Sequence, residues 1–293
     1  MNGPSRPRHA ARRMDLTATG TPTPVEPFAG SPDAVHLRIF RGIPGAPGAE
    51  IDYRVPAVTG MVVLDAIHYI QHHLDTDLAC RWNCKAAKCG SCGAEVNGRP
   101  VLLCKTRVDA LPPGPITVGP MQAFPLIKDL VCDVSAMYEL NRTIRPFSAE
   151  DGDGGDATEP WRIAPGDIGR LYEFRRCIEC FLCQDVCHVL RDHDAGERFL
   201  GPRYFVRVAA LEMHPRDLGD RIEQTRTSGG LGYCNVTRCC TEVCPEHINI
   251  TDDVIIPLKE RAADRHWDPL RLIGRRLRKR GLGRRPHLPT APP

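Results

Sequence analysis

Two runs of cysteines in the second half of the chain constrain its folding more than any other feature. Residues 177–187 read CIECFLCQDVC, and residues 234–245 read CNVTRCCTEVCP. The first run has the spacing C-x2-C-x2-C-x3-C of bacterial ferredoxins, in which the fourth cysteine ligates the other cluster of a pair. The spacing therefore predicts two iron–sulfur clusters, and it requires two distant segments to meet in the fold.

The second run matches the same template with one ligand missing. Cys234, Cys240 and Cys244 take the first, third and fourth positions, but Thr237 takes the second. Cys239 precedes Cys240 and could compete with it for the third position. Only Cys240 preserves both the x2 and the x3 spacing, so we treat Cys239 as a spare thiol.

In this template the fourth cysteine of each run ligates the cluster of the other run, and this exchange predicts which cysteines bind each of the two clusters. Three cysteines of the first run and the crossing cysteine of the second are expected to bind a 4Fe–4S cluster: Cys177, Cys180, Cys183 and Cys244. The other site has three thiols, which most simply hold a 3Fe–4S cluster: Cys187, Cys234 and Cys240. Thr237 then lies where the ligand of a fourth iron would be. Structural zinc is the alternative, but zinc sites use four ligands in separated pairs, and two interlocking runs divide poorly into such pairs.

A third group of cysteines lies in the first half of the chain. Its spacing, C-x4-C-x2-C-x11-C, matches the start of the plant-type 2Fe–2S pattern, and its members are Cys84, Cys89, Cys92 and Cys104. Cys80 offers an alternative register, but choosing it would leave the spacing from Cys84 to Cys89 unexplained. We expect Cys80 to be a buried thiol outside the cluster.

The segments around this group predict a small sheet with one helix. Residues 35–40 and 51–55 alternate as the strands of a hairpin, and residues 60–74 have helical spacing, with Thr59 as a possible N-cap. Asn97-Gly98 is a strong signal for a two-residue hairpin turn, and residues 115–120 are predicted as a closing strand. Together they suggest a β-grasp ferredoxin.

The remaining segments look helical. Residues 124–147 are predicted as one helix, with Cys132 in its core-facing pattern. Residues 165–176, 206–213 and 253–264 also have helical spacing and surround the two cysteine runs. The predicted fold class is α+β, with an N-terminal β-grasp 2Fe–2S ferredoxin domain followed by a C-terminal α-helical ferredoxin domain.

The predicted boundaries follow shifts in composition along the chain. We expect a disordered extension, a β-grasp domain with a trailing helix, an acidic linker, an α-helical ferredoxin domain and a basic disordered tail: residues 1–33, 34–150, 151–162, 163–268 and 269–293. Residues 271–285 contain eight Lys and Arg and no acid. Such a run can attract anionic lipid, but a solvated end is the simpler interpretation. Nucleic-acid binding has no support, because no recognition motif accompanies the charge.

The number of cysteines says more about the kind of site this chain contains than its overall composition does. The chain has 14 cysteines among 293 residues and lacks a hydrophobic export segment at its start, so thiols kept reduced for metal binding are expected rather than a disulfide scaffold. No run of about 18 apolar residues occurs, so the chain is not expected to span a membrane by itself.

A 2Fe–2S motif followed by paired 4Fe–4S and 3Fe–4S motifs resembles the iron–sulfur subunit of succinate dehydrogenase and fumarate reductase. The resemblance covers about residues 35–268 and is closest to actinobacterial-type members, through RWNCKAAKCGSC and CCTEVCPEH. It implies the three ligand sets given above and an electron relay rather than the dicarboxylate site.

The resemblance also implies partners. They are an FAD flavoprotein subunit and a membrane-anchor cytochrome b-type subunit, with quinone at the shared interface and haem where the anchor carries it. The expected location is the cytoplasmic face of the cell membrane, as a peripheral subunit without a transmembrane segment of its own.

Two departures from the family pattern concern the quinone site. Cys187 is followed by HVLRDHD rather than by Pro and a nearby Trp, and Asn235 replaces a frequent His. No quinone ligands are therefore predicted. His188 and Arg191 could lie near the quinone pocket, but a position on a helix surface is the simpler expectation.

Other functions remain open at this point. They are fumarate reduction in the reverse direction, the iron–sulfur subunit of another flavin-linked oxidoreductase, and a cluster-bearing redox sensor. Relatives of glycolate oxidase or heterodisulfide reductase usually carry two full 4Fe–4S motifs and CCG repeats, so Thr237 counts against the second. A sensor would normally carry an effector domain, and none is visible in the sequence.

Overall fold

The computed structural model describes residues 34–148, 163–192 and 198–267. The predicted disordered extension, acidic linker and basic tail lie outside the described residues.

The N-terminal half is built on a five-stranded mixed sheet with the strand order β2-β1-β5-β3-β4. Its strands are β1 (Ala34–Arg41), β2 (Ala49–Pro56), β3 (Gly93–Val96), β4 (Arg99–Leu102) and β5 (Ile116–Gly119). Strands β1 and β2 form the predicted antiparallel hairpin, whereas β1 and β5 run parallel with Leu37 opposite Ile116. The closing strand is therefore central to the sheet.

The turn between β3 and β4 has the predicted chemistry. Asn97 and Gly98 both have positive φ, 50° and 73°, as a two-residue turn that follows the twist of the strands requires. The Asn97 side chain accepts a hydrogen bond from the backbone N–H of Thr117 at 2.9 Å. This turn pairs β4 with β3, and Cys104, just after β4, thereby returns to the side of Cys92 in the cysteine loop.

Helix α1 (Val63–His73) packs across the sheet through an apolar face that includes Leu64, Ile67 and Ile70. The predicted N-cap, Thr59, was wrong. The helix begins later, at Val63, where the carboxylate of Asp65 accepts a hydrogen bond from the backbone N–H of Val62. A sheet covered by one helix gives the predicted β-grasp arrangement.

The single helix predicted over residues 124–147 was also wrong. The segment forms two short strands, β6 (Leu126–Lys128) and β7 (Val131–Cys132), before helix α2 (Ser135–Arg142). The turn between the strands places Asp129 at φ 50° and buries it to 2% exposure. Its carboxylate accepts hydrogen bonds from the N–H groups of Gly42 and Ala79 at 2.9 and 2.8 Å. These contacts to distant residues outweigh the local helical spacing.

The C-terminal half is helical in its described residues. Its helices are α3 (Pro165–Arg175), α4 (Leu182–Asp185), α5 (His188–Asp192), α6 (Pro202–Glu212), α7 (Ile222–Arg226), α8 (Cys239–Glu242) and α9 (Ile256–Trp267). A π-helical turn, Ile250–Ile255, leads into α9. The predicted helical windows fall on α3, α6 and the segment from this turn into α9. Phe205, Val208 and Ala209 of α6 are fully buried in the core of this half.

The fold class was predicted correctly as α+β. In the parts of the chain that the structure describes, none of the helices has both the length and the apolar character needed to cross a membrane.

Candidate metal centres

The two cysteine runs meet around a cavity, here called the first cavity, with about 350 Å³ of space between protein atoms. Three cysteines of the first run and one of the second line it: Cys177, Cys180, Cys183 and Cys244. The structure thus brings together the four thiols that the spacing groups for a 4Fe–4S cluster. Most of the remaining wall is apolar, and it includes Phe181, Val206 and Ile248.

The second cavity, with about 320 Å³ of space between protein atoms, is lined by the other three predicted thiols, Cys187, Cys234 and Cys240. Thr237 and Cys239 line it as well. The buried hydroxyl of Thr251, which the sequence reasoning missed, lies 3.6 Å from the Sγ of Cys240. The fourth cysteines of both runs are therefore exchanged between the cavities.

The two runs fold into loops with the same backbone pattern. In the first cysteine loop (residues 177–183) the neighbours of Cys180 have left-handed φ: Glu179 56° and Phe181 61°. In the second cysteine loop (residues 234–240) the neighbours of Thr237 do likewise: Val236 61° and Arg238 64°. Alternating left- and right-handed residues turn successive N–H groups toward a common centre, as in anion-binding nests.

A short helix begins within the last two residues of each loop, α4 directly after Phe181 and α8 directly after Arg238. By position, Thr237 is therefore the counterpart of Cys180, Cys240 of Cys183, and Cys239 of Leu182.

Four thiols in the cavities are buried, Cys180, Cys183, Cys187 and Cys240, and burial raises their pKa values. Burial, reinforced by the nearby Cys177 and Cys244, raises the pKa of Cys180 to about 12. Burial also raises the pKa of Cys187 to about 12, with Cys239 and Cys240 adding to the shift. Thiols grouped around one cavity in this way fit an iron–sulfur cluster, because a coordinated metal deprotonates the thiols that bind it.

The third group of thiols lies in the N-terminal cysteine loop (residues 84–92) and just after β4. The Sγ of Cys84 accepts hydrogen bonds from the N–H groups of Ala86 and Lys88, both at 3.3 Å. Lys85 and Ala87 have left-handed φ of 53° and 54°. The loop therefore wraps its amides around a sulfur, as a site for a negatively charged cluster requires.

Successive pairs among the four thiols of this group interact: Cys84 with Cys89, Cys89 with Cys92, and Cys92 with Cys104. Burial raises the pKa of Cys89, but hydrogen bonds involving Ser91 and Cys84 outweigh it and lower the value to about 6. Burial raises the pKa of Cys92 to about 12 against a backbone hydrogen bond involving Cys104 that lowers it, and the side chain of Cys104 and the charge of Cys89 add to the rise. Cys84 and Cys104 are thus linked through Cys89 and Cys92.

Of the remaining cysteines of the first half, Cys132 is buried as expected, although in a strand rather than a helix, whereas Cys80 is less buried than expected. Cys80 is partly buried, and burial together with nearby Cys92 raises its pKa to about 12. Cys132 is buried in β7. Among the described residues, neither is part of the lining of the two cavities.

The N-terminal cysteine loop lies directly on the first cysteine loop. Gly90 has a φ of 69°, and a Cβ built on it would be only 2.8 Å from the Cα of Cys180 and 2.9 Å from the carbonyl oxygen of Ile178. Lys88 forms an ion pair with Glu246 at 3.3 Å across the same junction. The candidate centres therefore follow one another from the N-terminal loop to the first cavity and then to the second.

Arg203 is a site residue that the sequence reasoning missed. It lies on α6, is 3% exposed and lines the first cavity. Its guanidinium pairs with Glu179, hydrogen-bonds Asn141 and lies 6.0 Å from the ring centre of Phe181. Its Nε has no hydrogen-bond partner among the described residues. The signal was an arginine within the apolar pattern of PRYFVRVAAL.

The two residues expected on a helix surface are instead engaged. His188 lines the second cavity, with its Nδ1 3.5 Å from the hydroxyl of Thr237. Arg191 forms an ion pair with buried Glu95 of β3 at 2.8 Å. Glu95 also faces Asp185 of α4, whose carboxylate accepts a hydrogen bond from the N–H of Ala123 at 2.9 Å. These contacts tie the two halves together beside the cavities.

Two family models match the two halves of the chain. One, described as a 2Fe-2S iron-sulfur cluster binding domain, matches residues 36–139. The other, a 4Fe-4S dicluster domain, matches residues 173–248. The N-terminal match includes all four cysteines of the 2Fe–2S motif, and the C-terminal match includes both later runs.

Known proteins with similar sequence and structure agree with these matches. The chain is 33% identical to the fumarate reductase iron-sulfur subunit of Mycobacterium tuberculosis over 199 residues, which cover 67% of this chain and 79% of that relative. It is 32% identical over 200 residues to the corresponding subunit of Escherichia coli O6:H1, covering 67% of this chain and 80% of the relative.

A solved chain of the Mycobacterium smegmatis Sdh1 complex in the apo form is 51% identical, with a TM-score of 0.76. The similarity covers 81% of this chain and 99% of that one. Three cysteine groups, two matched cluster domains and these relatives agree, and the chain therefore belongs to the iron–sulfur subunit family of succinate dehydrogenase and fumarate reductase, which are oxidoreductases.

Proposed function

We propose that this chain is the electron relay of a succinate:quinone oxidoreductase. In this proposal electrons from an FAD flavoprotein subunit pass through 2Fe–2S, 4Fe–4S and 3Fe–4S clusters to quinone at a membrane-anchor subunit. The observation that carries it is the succession of three groups of cysteines on adjoining segments, with Gly90 of the N-terminal cysteine loop packed against Cys180 of the first cavity.

The proposed ligands follow the grouping of the thiols. The 2Fe–2S ligands are Cys84, Cys89, Cys92 and Cys104. The 4Fe–4S ligands are Cys177, Cys180, Cys183 and Cys244, which share the first cavity. The 3Fe–4S ligands are Cys187, Cys234 and Cys240, which share the second cavity. The repeated backbone supports a three-iron cluster, because Thr237 occupies the position that Cys180 occupies in the first loop.

The chain's own contribution is to hold the centres close together and to set their potentials. Burial, hydrogen bonds to sulfur and nearby charge all change the potential of a bound cluster. The structure supplies each of these, through the apolar walls of the first cavity, the amides of Ala86 and Lys88 at Cys84, and buried Arg203.

Succinate oxidation is supported more strongly than fumarate reduction. Identity to the chain of the Sdh1 complex is 51% and extends over 99% of that chain. Identity to the fumarate reductase subunit of M. tuberculosis is 33% over 79% of its length.

The Sdh1 relative is a component of a complex, which supports assembly of this chain into a complex of several subunits. We propose as partners an FAD flavoprotein and a cytochrome b-type anchor, with quinone at the shared interface. The chain would then be a peripheral subunit on the cytoplasmic face of the cell membrane.

Electron paramagnetic resonance (EPR) of the purified complex tests the clusters. We expect a 3Fe–4S signal in the oxidised protein and an added 2Fe–2S signal after reduction with dithionite. Succinate-linked reduction of menaquinone or ubiquinone, compared with quinol-linked reduction of fumarate, tests the direction. Absence of both reactions in a complex with all three clusters would overturn the proposed function.

A further inference from the structure

The second cavity holds one more thiol than a three-iron cluster uses. Cys239 lines it together with Cys187, Cys234 and Cys240. The Sγ of Cys239 lies 3.4 Å from the hydroxyl oxygen of Thr237. A fourth sulfur therefore lies next to the side chain that takes the place of the fourth ligand.

The local backbone explains why this thiol faces the cavity. Arg238 has a left-handed φ of 64° and is followed at once by α8, of which Cys239 is the first residue. The counterpart of Cys239 in the first loop, Leu182, is 1% exposed and packs within the N-terminal core, where a Cβ on Gly93 would be 3.3 Å from it. Cys239 is only half-buried and contacts the cavity instead.

We propose that Cys239 is a conditional fourth ligand, which binds an additional iron in the second cavity and converts the 3Fe–4S cluster into a 4Fe–4S cluster. The inference deepens the proposed function and rests on it. Thiolate is a better ligand for cluster iron than the hydroxyl of Thr237. Thr237 is exposed in this chain, so a ferrous ion can reach the position from solvent.

The conversion balances with two reactants, ferrous ion and a one-electron reductant. An oxidised 3Fe–4S core of charge +1 takes up one electron and one Fe²⁺ and becomes a 4Fe–4S core of charge +2. Cys239 loses its proton to solvent as its sulfur bonds to the new iron. Removal of the electron reverses the process: Fe²⁺ is released and Cys239 is reprotonated.

The test uses the purified complex under anaerobic conditions. The protein is treated with ferrous ammonium sulfate and dithionite, freed of excess iron, and poised at a potential that reoxidises an unconverted 3Fe–4S core to charge +1 but leaves a 4Fe–4S core at charge +2. It is then measured by EPR and iron analysis. Wild type is expected to lose most of its 3Fe–4S signal and to gain one iron per complex. Cys239→Ser is expected to keep both its signal and its iron content. Cys80→Ser, which changes a thiol in the other half, should convert like wild type.

The same samples distinguish the outcomes. Equal loss of the signal in wild type and Cys239→Ser, or no loss in wild type, would overturn the role of Cys239. The 2Fe–2S signal reports whether the variant has folded, and Cys239→Ala provides a second variant that lacks the thiol. If the 3Fe–4S signal is already missing from untreated wild type and from both untreated variants, the cluster assignment in the proposed function is overturned instead.

Discussion

The first and second cysteine loops have the same backbone but different surroundings. The N-terminal half covers the first loop, so Cys180 and Phe181 are buried, whereas Thr237 and Arg238 in the second loop are exposed. The difference continues into the helices that follow, because Asp185 of α4 is fully buried and its counterpart Glu242 of α8 is exposed. The number of thiols and the cover thus change together: the covered loop has a cysteine at each of the three positions, and the exposed loop has Thr237 at one of them.

The largest expected effect comes from disturbing the cover. Gly90→Val would force a β-branched residue into left-handed φ and place its Cβ 2.8 Å from the Cα of Cys180. We expect a loss of about 2 to 6 kcal/mol in the free energy of unfolding, the sum of backbone strain and overpacking. Thermal unfolding and the 2Fe–2S EPR signal measure the effect.

Gly98 offers a matched control, because it has a similar φ of 73° but no atom within 4 Å of the position that a Cβ would take. Gly90→Ala and Gly98→Ala share the cost of left-handed φ, so their difference isolates the overlap with the first loop. Equal destabilisation by the two alanine variants would contradict the direct contact between the loops.

The next prediction makes the second loop resemble the first. Thr237→Cys places a thiol at the position of Cys180, so the second cavity is expected to hold a 4Fe–4S cluster without added iron. The 3Fe–4S signal of the oxidised protein should disappear. Thr237→Ser, which adds no thiol, should retain the signal; an unchanged spectrum in Thr237→Cys would count against the alignment of the two loops.

A pH-dependent effect is expected at Glu95 of β3, which lies beside the covered loop. Burial and the neighbouring Asp185 raise the pKa of Glu95 from 4.5 to about 7, against the opposing effect of Arg191. The folded protein holds the Glu95 proton more tightly than the unfolded chain does. The contribution of this proton to the free energy of unfolding is therefore complete below pH 4.5 and is lost as the pH rises through 7.

We expect Glu95 to cost wild type on the order of 1 to 3 kcal/mol of stability as the pH rises over this window. Glu95→Gln should remove this component in denaturant unfolding measured across the same pH values. Glu139→Gln, on the exposed surface of α2, should leave the pH profile unchanged. A profile unaltered by Glu95→Gln would show that the buried pair does not titrate here.

The smallest expected effect compares the two cavity arginines. Arg203 is buried, and a positive charge there favours the reduced cluster, so Arg203→Met should lower the 4Fe–4S potential by on the order of tens of millivolts. Arg238 lines the second cavity but is exposed and pairs with Asp252 at 2.8 Å. Solvent screens its charge, so Arg238→Met should leave the 3Fe–4S potential nearly unchanged in an EPR-monitored redox titration. Equal shifts in the two variants would contradict a role for burial.

The grouping of the thiols around the two cavities was readable from the sequence, because the spacing of the cysteines is a local property. The spacing of Cys177, Cys180 and Cys183 follows from one short turn, and the exchange of Cys187 and Cys244 follows from the template. The left-handed φ of Phe181 and Arg238 was not readable, because neither residue type favours that conformation. This conformation belongs to a backbone pattern that both loops share, in which the residues on either side of Cys180 and of Thr237 have left-handed φ.

The wrong helix prediction over residues 124–147 and the missed site residue Arg203 both depend on contacts between residues far apart in the chain. Asp129 interrupts the predicted helix because its carboxylate binds the N–H groups of Gly42 and Ala79, which local spacing does not contain. Arg203 likewise becomes a site residue only through Glu179 and the closing of α6 over the first cavity.

The close approach of Gly90 to Cys180 has a consequence for how the relay would operate. The two residues belong to different halves of the chain and touch without a covalent link. Electron transfer between the proposed 2Fe–2S and 4Fe–4S clusters would thus depend on the docking of the two halves. A molecule whose halves had separated would still hold its clusters but would not pass electrons between them.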